Sequence, residues 1–449
     1  MKNKLFILFL IITVTISGIY FIEYNIKNNT NFYIFLKNKI PYKTKKLIRN
    51  KIKNFSNYFN DEKLVLEKLN DIKDPTFGQF KIFNNKLLNF KGPRAYMASD
   101  KNNFFLITGD GSLYFTKIDN FSRSNDVSLN KIKSNIPKIF KNYRVDDSDE
   151  LERSSMIKSI LIKDDIIYIS ATVKENSNCF KQKIFKAKIN LNKIFFNEFF
   201  QVKDCRTFYD DTSGGNIILY KENKILYTLG DWKSCQYLEK YPKNFCITGG
   251  PQNLRSSLGK IMMIDLLSKK NKFISTGHNN PQGITYHAET DVIFSTEHGP
   301  QGGDEININD FKLDIDEKIR NYGWPISSYG EHYGFPNEDI KYLYEMAPLY
   351  KSHKKYNFIE PIDYFVPSIG ISDIQSYKNK LFVGSMGSSA KEGDLSLYVY
   401  EIDKNNQIRN KKKILLNQRI RDLHIINDYL YLYLESTGTI ALLNLKNFN

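Results

Sequence analysis

The chain has 449 residues, 41% of them hydrophobic and 14% aromatic, and a formal net charge of +16. That apolar content sustains a packed body and excludes a globally disordered chain. The charge argues against a nucleic-acid partner: residues 1–75 hold 14 Lys and Arg against 6 Asp and Glu, half of the excess, and no binding motif accompanies it.

The N-terminus reads Met-Lys-Asn-Lys, then eighteen uncharged residues, Leu5 to Ile22 (LFILFLIITVTISGIYFI). A positive start before an apolar run is an export signal. The run reaches the minimum for a spanning helix, and no A-x-A cleavage site follows. Residues 1–24 are therefore expected to be an uncleaved signal-anchor helix, with a cleaved signal as the alternative. Lys2 and Lys4 put the N-terminus in the cytoplasm and the rest in the periplasm, held at the inner membrane. Residues 25–75 form a basic, Asn-rich connector, either a solvated stalk helix or a segment lying on the membrane surface.

From residue 76 to 449 the texture is that of strands. Short β-branched and aromatic runs include FFLIT (104–108), IIYISATV (166–173), KILYTLG (224–230), VIFSTE (292–297), KLFVGSM (380–386) and YLYLYLE (429–435), with Asn, Asp, Gly and Lys between them. No long amphipathic helix interrupts the series. The spacing indicates an all-β sandwich, barrel or propeller, and the length favours a propeller. Export permits disulfides. Of the three pairings open to Cys179, Cys205, Cys235 and Cys246, Cys235–Cys246 closes a short loop and comes first. Cys179–Cys205 comes second, and four free thiols are the alternative.

Residues 277–305 are densest in chemistry: GHNNPQGITYHAETDVIFSTEHGPQGGDE. Two Gly- and Pro-rich polar loops sit one hairpin apart and can converge. Glycines let backbone approach a ligand closely. Exposed carbonyls with Asp304 and Glu305 are hard oxygen donors suited to calcium.

GHNNPQG (277–283), EHGPQGGDEIN (297–307) and NYGWP (321–325), in that order, resemble motifs of the pyrroloquinoline quinone (PQQ)-dependent glucose and aldose sugar dehydrogenases. Weaker likenesses, such as GPRAY (92–96), YTLGD (227–231), FVPSIGISDI (365–374) and RIRDL (419–423), extend the resemblance over residues 76–445. It implies a six-bladed β-propeller with PQQ across its central face. It further implies cofactor contacts at Asn279, Asn280, Gln282 and His298. Calcium would take carbonyls of Gly299 and Pro300, with a second position at Glu305 and Tyr322. The family's catalytic histidine aligns with Thr212, and its partner is Asp231.

The chain departs from the family at three places. Thr212 stands where the histidine should, and a hydroxyl cannot accept a proton near neutrality as imidazole can. Asn279 stands for an arginine, so a fixed positive charge is lost. Glu305 and Tyr322 are seventeen apart, and FKLDIDEK (311–318) looks inserted. No histidine lies between residues 150 and 277, so Asp210, Asp211 and Asp231 are the remaining candidate bases.

The expected activity is PQQ- and calcium-dependent oxidation of an aldose or related alcohol, with electrons leaving to a respiratory acceptor. A non-catalytic binding propeller is the alternative, and calcium-dependent hydrolysis of a lactone a third reading. The apolar run predicts that the protein fractionates with membranes; a soluble periplasmic form beginning near residue 20–30 refutes the anchor.

Overall fold

A computed structural model of the protein describes residues 63–74, 78–85, 88, 94–140, 156–176, 178–236, 244–310, 319–337, 340–387 and 395–448. The signal-anchor run, the connector up to residue 62 and the FKLDIDEK segment lie outside these residues.

Two strands come first, β1 (Lys63–Asp74) and β2 (Gly78–Asn84). Antiparallel meanders follow. The first runs through β3 (Ala95–Ser99), β4 (Asn103–Thr108), β5 (Leu113–Lys117) and β6 (Val127–Ser134). Next come β7 (Ile157–Lys163), β8 (Ile166–Asn176), β9 (Cys179–Lys188), the two-residue β10 (Lys193–Ile194) and β11 (Asn197–Gln201). Then follow β12 (Gly214–Tyr220), β13 (Lys224–Leu229), β14 (Lys260–Asp265) and β15 (Asn271–Thr276). After these are β16 (Asn280–His287), β17 (Val292–His298), β18 (Asp304–Asn309), the short β19 (Arg320–Asn321) and β20 (Asp363–Phe365). The last meanders are β21 (Ile371–Tyr377), β22 (Lys380–Ser385), β23 (Ser396–Ile402) and β24 (Ile408–Leu415), then β25 (Ile420–Ile426), β26 (Tyr429–Leu434) and β27 (Thr439–Asn444).

The opening strands of the meanders, β3, β7, β12, β16, β21 and β25, pack one against the next, and β25 returns to β3. The ring is a β-propeller, and the all-β expectation holds. Closure is a sheet matter: β2 pairs antiparallel with β27 and with β1, and β1 pairs with β6, so the last meander and the first share one ten-stranded sheet. Between successive meanders lie hydrophobic layers. Phe105, Ile107, Ile157 and Ile169 fill one, and Phe104, Leu106, Tyr431 and Tyr433 another. Among the described residues no helix is long and apolar enough to cross a membrane. Both expected disulfides are formed, Cys235–Cys246 and Cys179–Cys205, with Cα atoms 4.8 and 5.2 Å apart.

One boundary is corrected. Residues 63–74, read as connector, are a strand of the closing sheet. Leu64 and Leu66 alternate with exposed neighbours and are buried among Phe83, Leu88 and Leu129. Burying two leucines contributes about 3–6 kcal/mol. A chain beginning at residue 76 is therefore expected to unfold at clearly lower denaturant than one beginning at residue 62; coincident unfolding curves would rule out a sealing role for β1.

Candidate functional site

The second motif loop is built around one carboxylate. Asp304, wholly buried at the start of β18, accepts the Gly299 N–H at 3.1 Å, the Ser368 hydroxyl at 2.9 Å, and the Ile369 and Ile371 N–H groups at 3.0 and 2.9 Å. It thereby fixes the Gly299–Gly303 turn to the start of the next meander. His298 Nδ1 stands 3.8 Å away. Burial pushes the Asp304 carboxyl up, but His298 and the N–H and O–H donors outweigh it and hold the group below its ordinary value. Gly303 has φ +73°, and a Cβ there would lie 2.2 Å from the Gly330 nitrogen, so the turn admits only glycine at this position.

The sequence read DEIN as loop; it is strand. The β17–β18 register sets Glu305 directly opposite Glu297. Like charges in that position repel. Both side chains are buried, and Asn307 Nδ2 reaches each carboxylate at 3.3 Å. His278 Nδ1 is 2.9 Å from Glu297 Oε2, and His353 Nε2 is 3.2 Å from Glu305 Oε1. Burial pushes His278 down to about 3, so its contact with Glu297 is a neutral hydrogen bond rather than an ion pair. Burial raises both glutamates to about 7, against the opposing pull of His353.

These carboxylates line a cavity with Asn279, His298, Gly299 and Tyr322. The side-chain oxygens of Asn279 and Asn307 are buried and find no hydrogen-bond donor among the described residues. An oxygen-rich pocket with two opposed carboxylates and unsatisfied carbonyls fits a hard divalent cation. Tyr322 can offer only its carbonyl: its hydroxyl donates to Ile308 O at 2.5 Å, and its ring stacks on His278 at 4.7 Å. Pro300 is buried beside Gly330. Among the described residues no three His, Cys, Asp or Glu side chains converge on one metal position. Any ion here rests largely on main-chain and amide oxygens.

A second cavity opens where the inner strands meet the axis, lined by Arg94, Lys158, Asp211, Asn216, Gln282 and Arg421, with Asp373 and Asp422 behind. Of the expected cofactor contacts, Gln282 belongs here. Asn280 braces it, accepting from Gln282 Nε2 at 2.8 Å and from the Gly214 N–H at 3.1 Å. Asn279 and His298 line the carboxylate cavity instead.

Thr212 and Asp231 line neither. The Thr212 hydroxyl and N–H both donate to Asp210 Oδ1 at 2.8 Å. Asp231 is wholly buried and accepts the Trp324 indole N–H at 2.9 Å. Burial raises it to about 7, opposed by the Trp324 and Lys233 donors. It positions the Trp324 wall of the carboxylate cavity. Asp211 forms a two-point ion pair with Arg94, at 3.2 and 2.9 Å. Sequence reading missed Arg94, Lys158, Arg421 and Glu297. Arg94 and Arg421 lay within the family-like segments GPRAY and RIRDL, and Glu297 within EHGP; nothing local marked Lys158.

Residues 156–443 match the glucose/sorbosone dehydrogenase family, and the chain belongs to it. Among curated relatives, an aldose sugar dehydrogenase of Escherichia coli K12 is 31% identical over 186 residues, 38% of this chain and 44% of that protein. An uncharacterized protein of Synechocystis is 29% identical over 187 residues, 38% of this chain and 41% of its own length. The matches thus span less than half the length of either relative. Among solved structures, a glucose dehydrogenase superposes with TM-score 0.58 at 18% identity, covering 78% of this chain and 95% of that one. The apo soluble aldose sugar dehydrogenase of Escherichia coli gives 0.57 at 18% identity, covering 85% and 99%. At that identity the likeness is one of fold.

Asp304 generates a prediction. Asp304→Ala strands three buried N–H groups and a hydroxyl, each costing about 1–3 kcal/mol. The loss is expected to exceed about 3 kcal/mol in chemical denaturation. The carboxyl is depressed in the folded state, so its contribution is present above the ordinary value of 3.8 and disappears as pH falls below it. A variant as stable as the parent at pH 7 contradicts this role.

Proposed function

We propose that this chain is a six-bladed, PQQ- and calcium-dependent dehydrogenase that oxidises an aldose sugar or related alcohol in the periplasm. Each inner strand of the ring opens one blade of four strands, extended by the short β19 in the blade of β12, and β1 welds the first to the last. Anchoring to the inner membrane through residues 5–22, and delivery of electrons to a respiratory acceptor, are parts of the same proposal. Two disulfides support an oxidising compartment.

The reading is carried by one observation: a cavity lined by three basic side chains, Arg94, Lys158 and Arg421, in the same ring as a buried pair of carboxylates. PQQ, when bound, is a tricarboxylate quinone that accepts two electrons from the substrate. Arg94 and Arg421 suit its carboxylates, since each guanidinium keeps N–H donors beyond those given to Asp211 and Glu435. Gln282 and Asn216 supply amide donors and acceptors to orient a planar ligand. Glu305, with the Tyr322 and Gly299 carbonyls and the Asn279 side-chain oxygen, suits calcium.

One observation favours a second reading, a binding propeller without catalysis. The Thr212 hydroxyl is closed by Asp210, and Asp211 is locked by Arg94, so neither is a free base.

Calcium is expected to stabilise the protein by about 2.7 kcal/mol at a hundredfold excess over its dissociation constant. Glu297 and Glu305 sit near 7 in the fold against an ordinary 4.5. Without calcium the folded state holds protons that the unfolded chain has lost, so stability falls as pH rises from about 4.5 to 7. Calcium displaces those protons, so its gain in melting temperature is larger at pH 8 than at pH 6, and Glu305→Ala removes most of it. Adding PQQ with calcium is expected to give a bound-quinone absorption spectrum that an aldose bleaches. Binding without bleaching selects the binding-module reading, and no PQQ binding at all ends the dehydrogenase reading.

A further inference from the structure

The axial cavity and the loop beside it carry four carboxylates, Asp210, Asp211, Asp373 and Asp422, and each is engaged within the protein. Asp211 is paired with Arg94. Asp210 holds Thr212 and faces Lys233 at 3.4 Å. Asp373 accepts the Leu423 N–H at 3.1 Å, and Asp422 the Met97 N–H at 2.7 Å, so both are tied to neighbouring strands. One basic group is placed differently. Lys158, on β7, runs its stem over Gly215 of β12. A Cβ on Gly215, whose φ is +115°, would lie 2.4 Å from the Lys158 Cβ and 2.6 Å from its Cγ. The glycine opens the lane along which the lysine reaches the axis. There its Nζ donates to Tyr209 Oη at 3.1 Å and lies 4.0 Å from Asp211 Oδ1, while the Tyr209 hydroxyl donates to the same oxygen at 2.8 Å. The amine thus stands beside the segment 211–215, where the family-like alignment leaves Thr212 without a histidine.

We propose that Lys158 is the proton acceptor of the axial cavity, an inference that rests on the dehydrogenase reading above. In the oxidation of a cyclic hemiacetal, the substrate's C1–H bond would break and its hydrogen would leave with the electron pair, as hydride, to a quinone oxidant. The O1–H bond breaks and its proton passes to Lys158 Nζ. C1 becomes the carbonyl of a lactone, and the resulting ammonium returns its proton to water. The surroundings keep the amine available for this. Lys158 is only 6% exposed. Burial lowers it most; Asp211 and Asp210 oppose, and Arg94 and Arg421 repel the ammonium, leaving it at about 7. Tyr96, Tyr209, Asp373 and Asp422 complete the titratable groups around this cavity. A buried lysine so tuned is a general base near neutrality.

The first test needs no cofactor. The full chain is labelled with [ε-13C]lysine and titrated by NMR, with Lys158→Arg assigning the resonance. A midpoint near pH 7 is expected against about 10.4 for surface lysines; a midpoint above pH 9 overturns the proposal. The second uses protein loaded with PQQ and calcium. Lys158→Met is expected to lower kcat for aldose oxidation by about 10²–10⁴-fold, with KM little changed. The acidic limb of the pH–rate profile should vanish with it, and Lys158→His should restore part of the rate. A wild-type kcat in Lys158→Met overturns the assignment. If the loaded wild type oxidises no sugar, the dehydrogenase reading has failed, and the NMR midpoint alone then decides for or against a neutral amine at this site.

Discussion

Every sheet of this ring has an inner strand with one edge that faces no strand. Its N–H groups point into the crowded axis, where water is scarce and each needs an acceptor. The protein supplies them from the neighbouring meander. Asp304 of β18 accepts from Ile371 of β21, Asp373 of β21 from Leu423 of β25, and Asp422 of β25 from Met97 of β3. Asn280 of β16 accepts from Gly214 of β12. Each bond joins two meanders and satisfies a donor that would otherwise destabilise the fold by about 1–3 kcal/mol. The same requirement makes the axis polar. Stability and chemistry therefore share one set of side chains, and a change at the axis affects both.

Charge follows from that arrangement. A row of buried carboxylates demands cations, and they come from distant parts of the chain: Arg94 before β3, Lys158 on β7 and Arg421 on β25. Arg94 and Asp211 neutralise each other in a two-point contact, and Glu435 takes up Arg421 and Arg419. Lys158, 4.0 Å from an Asp211 oxygen that Arg94 already claims, is left as the weakly compensated member. In the other cavity the imbalance has the opposite sign, because strand register alone sets Glu297 against Glu305.

Strands were legible where both faces are buried. FFLIT, VIFSTE and YLYLYLE carry dense apolar runs because sheets cover them on each side. Outer strands hid. β24, IRNKKKIL, is exposed along most of its length, so its lysines left no apolar strand signal. β1 hid in a basic stretch, although Leu64 and Leu66 alternate with exposed residues at strand period. DEIN read as a metal loop because its acids outweighed a strand signal of only two isoleucines.

By itself the sequence determined the all-β class and the family, because turns, loops and strand runs are written in neighbouring residues, and it ranked the cysteine pairings that the structure then settled. The motif residues were found the same way: His298, Gly299 and Glu305 lie within one hairpin and meet wherever that hairpin forms. Only the tertiary structure decided which charges share the axis. Arg94 and Asp211 are 117 residues apart, and Asn216 and Asp373 are 157 apart. They meet because ring closure brings the first strand of every sheet to one line. Nor could the sequence set the protonation of Lys158 or of the Glu297–Glu305 pair, since burial and the company of other charges fix it, and both are properties of the closed ring rather than of any segment.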